Sequence, residues 1–157
     1  MKNILYKETQ YFRSLIIIMI IITTLLVGVS AFFSTEASSG SSVYIATSLL
    51  FIVIIILFYK LDIIITERNA ILSFGVGLVK RKLPVNQLNL ETAQIVKTTL
   101  LWGIGYRFTP HGTLFNTRVG GALHIKTKNK SSEFFVVTDR TEAIKEALKK
   151  AQGISNI

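Results

Sequence analysis

The chain has 157 residues, 50% of them hydrophobic and 17% charged, with a formal net charge of +9 from 18 Lys and Arg against 9 Asp and Glu. Soluble domains carry about a quarter charged residues, and the mean hydropathy is +0.49, so the apolar surplus must lie outside an ordinary core. No cysteine is present, which excludes disulfide scaffolds, thiolate metal sites and a cysteine nucleophile, and two histidines leave little for a metal centre.

Residues 1–13 form a basic N-terminal segment with Lys2, Lys7 and Arg13. No charge follows in the 22 positions between Arg13 and Glu36, nor in the 23 between Glu36 and Lys60. The first stretch is built on Leu15 to Ile22, and the second ends in the run Leu49 to Tyr59. About 20 apolar residues in a helix span the hydrocarbon core of a bilayer, and there a helix satisfies its own backbone. The sequence therefore predicts two transmembrane helices, 14–34 and 43–59, joined by a short external serine-rich loop. That loop has no Lys or Arg while both flanks are basic, which places both termini on the cytoplasmic side of a plasma membrane. The rival reading of the first stretch is a cleaved leader, with Val29-Ser30-Ala31 as the cleavage-like site. Neither stretch has an ionisable residue at depth, which argues against a transporter or channel. Thr23, Thr24, Thr47 and Ser48 are expected to bond their own helix backbone or to pack one helix on the other.

Residues 60–157 hold 15 Lys and Arg against 7 Asp and Glu. The pattern is strand-like: 61–66, 70–74, 78–85 with Pro84 near an edge or bulge, a run around 93–96, then 113–119, 123–128 and 133–138. Turn residues separate them at intervals that suggest an antiparallel sandwich or barrel. Asp139-Arg140-Thr141-Glu142 reads as a capping box. Ala143, Ile144, Ala147, Leu148 and Ala151 then recur at helical spacing, predicting one amphipathic helix laid over the sheet.

Little in this part points to catalysis. Gly103-Ile104-Gly105 lacks the third glycine and the βαβ setting of a dinucleotide loop, and reads as a turn. Trp102, Tyr106, Phe108 and Phe115 read as core or an interfacial belt rather than a ligand platform. His111 and His124 have no second ligand at metal spacing, and no base–nucleophile pairing is evident. The chain is expected to be no enzyme and to need no cofactor or metal.

The segments Trp102-Gly103-Ile104-Gly105-Tyr106-Arg107, Gly112 to Asn116, Val119-Gly120-Gly121 to Ile125, and Phe134 to Asp139 resemble the bacterial pleckstrin-homology-like (PH-like) membrane proteins. Their shared pattern is Trp-Gly-Ile-Arg, Gly-x-x-x-Asn, Ser-Gly, two strands ending Thr-Asp, and a helix. Here no serine precedes the Gly120-Gly121 pair, and Gly105-Tyr106 separates Ile104 from Arg107. The resemblance implies an N-terminal transmembrane helical hairpin plus an α+β PH-like domain over 60–157, an antiparallel half-open barrel or sandwich capped by a C-terminal helix. It makes Trp102, Gly103, Gly105, Arg107, Asn116, Gly120 and Gly121 a structural motif and implies no reaction.

Basic residues are the remaining signal. His124, Lys126 and Lys128 share one face of an alternating strand, extended by Lys130, and Lys80 and Lys82 share a face of another. They are candidate contacts for anionic lipid headgroups at the bilayer; nucleic acid fits a membrane-fastened domain poorly. The chain is thus expected to be a membrane-anchored binding or scaffold module that docks a protein, peptide or anionic headgroup. Open strand edges near 61–66 or 78–83 are the cheapest docking surface. A self-assembling protein whose homo-oligomer is the functional unit is the alternative.

Overall fold

The computed structural model describes residues 3–33, 38–109, 112–128 and 133–155. Strand β1 (Ile4–Tyr11) runs into helix α1 (Arg13–Phe33), and helix α2 (Ser38–Phe58) runs back into strand β2 (Lys60–Thr66). β1 and β2 pair antiparallel, with Tyr11 opposite Lys60. The Phe12 amide, donating to the Tyr59 carbonyl at 2.9 Å, carries this pairing one step further. The helix pair therefore grows out of one end of a strand ladder. Strands β3 (Asn69–Phe74) and β4 (Lys80–Pro84) complete a four-stranded sheet in the order β1-β2-β3-β4.

Most of the segment expected as a basic tail is thus a strand. Polar side chains hold it. The Glu8 carboxylate accepts from the Tyr6 hydroxyl at 2.7 Å, the Gln10 amide at 2.8 Å and the Thr138 hydroxyl at 3.0 Å. Gln10 also donates to the Val137 carbonyl and accepts from the Thr117 hydroxyl. Burial, aided by the Glu8 carboxylate, pushes the Tyr6 phenol above its ordinary range, with Arg140 opposing. This polar seam ties the first strand to the last.

Strands β5 (Gln94–Lys97), β6 (Gly105–Thr109), β7 (Gly112–Asn116), β8 (Gly121–Lys126) and β9 (Glu133–Val137) form a second sheet in the order β5-β8-β9-β7-β6. It is mixed, not antiparallel throughout as expected: β7 runs parallel to β9, Phe115 opposite Val136. Helix α3 (Thr141–Ser155) follows. Asp139 does not serve as the expected helix cap. Its carboxylate accepts from Arg118, and the Thr138 hydroxyl takes the Arg140 amide instead.

Alternation builds the main core. Leu61, Ile63 and Ile65 of β2 and Ala70, Leu72 and Phe74 of β3 point inward, against Leu123, Ile125, Phe134 and Val136 of the second sheet. α3 closes this core with Ile144, Leu148 and Ala151, all fully buried. At about 1.5–3 kcal/mol for each large side chain removed from water, that face is what fixes α3. The second sheet buries its other face too: Leu114, Ala122, Phe135 and Val137 cluster there, with Val96 and Trp102 packed on them.

The two uncharged stretches are helical, and Thr23, Thr24 and Thr47 donate to the carbonyls of Met19, Ile20 and Val43, each four residues back. The membrane reading built on them is corrected. Among the described residues no helix is long and apolar enough to cross a membrane. The transmembrane hairpin, the multi-pass topology and the plasma-membrane location fall together. The helices nonetheless expose aliphatic side chains on several faces, among them Ile17, Ile21 and Leu25 of α1 and Ile45, Leu49 and Val53 of α2.

Candidate ligand-binding cleft

Where the helix pair meets the sheets, a line of aromatic rings runs from the helix base through the core to the surface. Phe58 at the end of α2 lies 5.5 Å from Phe74 between centroids, Phe74 stacks on Phe115 at 5.6 Å, Tyr106 meets Phe115 edge-on at 5.1 Å, and Phe108 meets Tyr106 at 5.5 Å. Beside this line is a cleft of about 700 Å³. The start of α1 contributes Phe12 and Leu15, and α2 contributes Ile54 and Phe58. The β3–β4 connection adds Leu78, Val79 and Lys80, and the entry to β6 adds residues 104–107.

Two turns put these segments in place. The first follows β3. The Gly75 amide donates to the Lys60 carbonyl at 2.8 Å and the Gly77 amide to the Phe74 carbonyl at 2.8 Å. Gly75 has φ +51°, and a Cβ there would lie 2.2 Å from the Ile56 carbonyl oxygen and 2.4 Å from that of Leu57. Only a glycine lets the sheet come this close to the end of α2.

The second turn is Trp102-Gly103-Ile104-Gly105, and Asn116 staples it. Asn116 is fully buried. Its Oδ1 accepts from the Gly105 amide at 2.8 Å, and its Nδ2 donates to the carbonyls of Gly103 at 3.1 Å and Arg118 at 3.3 Å. With φ +69° at Gly103 and +109° at Gly105, the chain reverses into β6 and sets Tyr106 and Arg107 at the cleft.

The walls are apolar, but two cations line them. Among the described residues Lys80 and Arg107 enter no ion pair; the pairs that form are Lys60–Asp62, Arg118–Asp139, His124–Glu133 and Lys145–Glu142. Lys60 shows the contrast: its bond to Asp62 raises the ammonium above its usual range. The lining residue Leu78 is 76% exposed, and apolar surface continues outside the cleft at Phe108, 81% exposed.

The residues singled out from sequence divide. Arg107, Gly105 and Lys80 line the cleft. Trp102 packs edge-on to Phe135 at 6.2 Å, and the Gly120 amide and carbonyl both bond the Thr98 hydroxyl at 2.9 Å. Gly121 sits opposite Lys97, under the Ile95 side chain. These, with Gly103 and Asn116, shape the fold. Lys80 and Lys82 are exposed on β4, an edge of the first sheet, whereas Lys126 is exposed on β8 in the second, with Lys128 just beyond it. The two pairs share no strand face.

His124 is not a surface contact. It is fully buried, with Nε2 2.6 Å from Glu133 Oε2 and Nδ1 3.0 Å from Gln94 Nε2. Gln94 donating to Nδ1 leaves the Nε2 proton for the carboxylate, so the ring is spent inside the sheet. The alternation that suggested a solvated face fails because Trp102 and Val96 cover that side. Lys130 and His111 lie outside the described residues. Of the two candidate docking edges, 61–66 is closed, since β2 is paired on both sides; β4 remains an edge. Among the described residues no three His, Asp or Glu gather as a metal site would require.

No family model matches this chain, and neither the curated proteins nor the solved structures give a match. The PH-like resemblance therefore stands on the quoted residues alone.

The sequence reading missed Phe12, Leu15, Ile54, Phe58 and Leu78 as lining residues. One signal was present: Leu78-Val79 stands directly before Lys80-Arg81-Lys82, an apolar pair joined to a basic run.

Proposed function

We propose that this chain is a non-catalytic binding module whose working surface is the end of the domain where the helix base, the β3–β4 turn and β6 meet. The observation that carries the reading is the apolar cleft lined by two cations that have no ion-pair partner among the described residues. A site of this kind, concave and largely apolar with a few placed polar groups, is the usual form of a ligand pocket. It suits a partner that is part acidic and part apolar, in keeping with the docking role expected from sequence.

Site-specific photo-crosslinking in cells tests it. A benzoylphenylalanine at Leu78 or Phe108 is expected to give discrete adducts that the same probe at Glu146 on α3 does not. Equal labelling from both faces, or none from the cleft side, sinks the reading.

A second reading has its own support. α1 and α2 leave many large aliphatic side chains exposed, and an extended exposed apolar surface marks an interaction site. Burial of this surface between copies would make a homo-oligomer the working unit. Sedimentation of the full chain in an uncharged detergent is expected to give one fixed mass above the monomer. Serine at Ile17, Ile21 and Leu25 together should lower it. A monomer in the unsubstituted protein removes this reading.

A further inference from the structure

We infer that the cleft binds a single-chain amphiphile with an anionic head, either a long-chain carboxylate or a phosphomonoester lipid. The inference rests on the binding-module reading and names its ligand. Three observations lead to it. The volume, about 700 Å³, falls within the range of about 300–1,000 Å³ that holds small molecules. The inner wall is hydrocarbon and aromatic: Phe12, Leu15, Ile54 and Phe58 offer no charge and, in these side chains, no hydrogen-bonding group. A polar metabolite would lose its water there without compensation, while an alkyl chain gains from the same burial.

The third observation is the charge. Lys80 and Arg107 come from different sheets to the same cleft, and neither is neutralised by a carboxylate among the described residues. Arg107 is exposed, and its guanidinium lies beside Gly103, within 2.8 Å of where a Cβ would stand there. A guanidinium at an apolar wall offers its donors to a carboxylate or phosphate as a planar fork, and an ammonium adds a mobile point charge. An uncharged lipid would leave both cations facing an oily ligand; a free anion would leave the apolar wall empty.

The test uses the full chain in an uncharged maltoside at one fixed concentration. The probe is palmitate carrying a diazirine in its chain, with labelled residues mapped by mass spectrometry. Label is expected on Phe12, Ile54, Phe58 or Tyr106. Oleate or oleoyl lysophosphatidate should displace it, whereas mono-olein and inorganic phosphate should not. Displacement by oleate alone assigns the carboxylate head, and by lysophosphatidate alone the phosphomonoester. Lys80→Gln and Arg107→Gln, both at exposed positions that leave folding intact, should each weaken retention about tenfold, the scale of one charge-assisted hydrogen bond.

Displacement by mono-olein as strong as by oleate, with both variants unchanged, overturns the anionic head and leaves the binding module standing. Label confined to other surfaces overturns the amphiphile. The crosslinks from Leu78 and Phe108 then decide separately whether the face binds anything else.

Discussion

Gly75→Ala is expected to cost about 2–6 kcal/mol of stability, a large share of what a small domain has. Two terms add. An alanine forced to positive φ is strained by about 1–3 kcal/mol, and a methyl driven into packed atoms costs about 1–3 kcal/mol more. The atoms it meets are the backbone oxygens of Ile56 and Leu57, which cannot rotate away as a side-chain end could. Either α2 lifts from the sheet or the β3–β4 turn opens. Gly77 provides the control. Its φ is +89°, but nothing lies within 4 Å of a Cβ built there, so Gly77→Ala should show the conformational term alone. Denaturant unfolding of both variants measures the difference. Equal losses at the two positions would mean that close approach to α2 contributes nothing.

Asn116→Leu is the second large expectation, a loss of about 2–4 kcal/mol. The substitution keeps the volume and removes every bond that Asn116 makes. It strands the buried Gly105 amide and the Gly103 carbonyl, and an unmade buried hydrogen bond costs about 1–3 kcal/mol. Among the described residues every buried side-chain nitrogen and oxygen already has a partner. The same change should loosen the turn that delivers Arg107, lowering retention of the palmitate probe even where the variant stays folded. Stability within about 0.5 kcal/mol of the parent, the scale of a neutral surface change, would show that the turn holds itself.

These two residues show what a sequence discloses and what it hides. In the sequence Asn116 is only one residue of an expected motif, and Gly75 only one of the turn residues between two expected strands. Their actual partners, the end of α2 and the Gly103–Gly105 turn, are matters of three-dimensional approach. β2 and β3 lie close to their expected positions because period-two burial is written locally in Leu61-Asp62-Ile63 and its counterparts, whereas β5, β8 and β9 were placed by the turns that bound them. β1 was missed because its support lies over a hundred residues away, at Val137 and Thr138, and its own charges read as a tail. β6 was missed because its glycines read only as a turn. The cleft draws on four separate segments, so only Lys80, Gly105, Tyr106 and Arg107 of its lining were singled out beforehand, and not as one site.

The polar seam of β1 has a consequence for how the molecule is made. Glu8 and Thr138 are 130 residues apart, and ribosomes add about 5–20 residues per second. Roughly 6–25 s therefore separate the emergence of the first strand from that of the group that satisfies it. Through that interval β1 and β2 can zip together around the helices, but beyond Tyr6 and each other Glu8 and Gln10 have only water for side-chain partners. The latch that joins the two sheets shuts last, so the nascent chain holds its most apolar helices on an unfinished frame until β9 arrives.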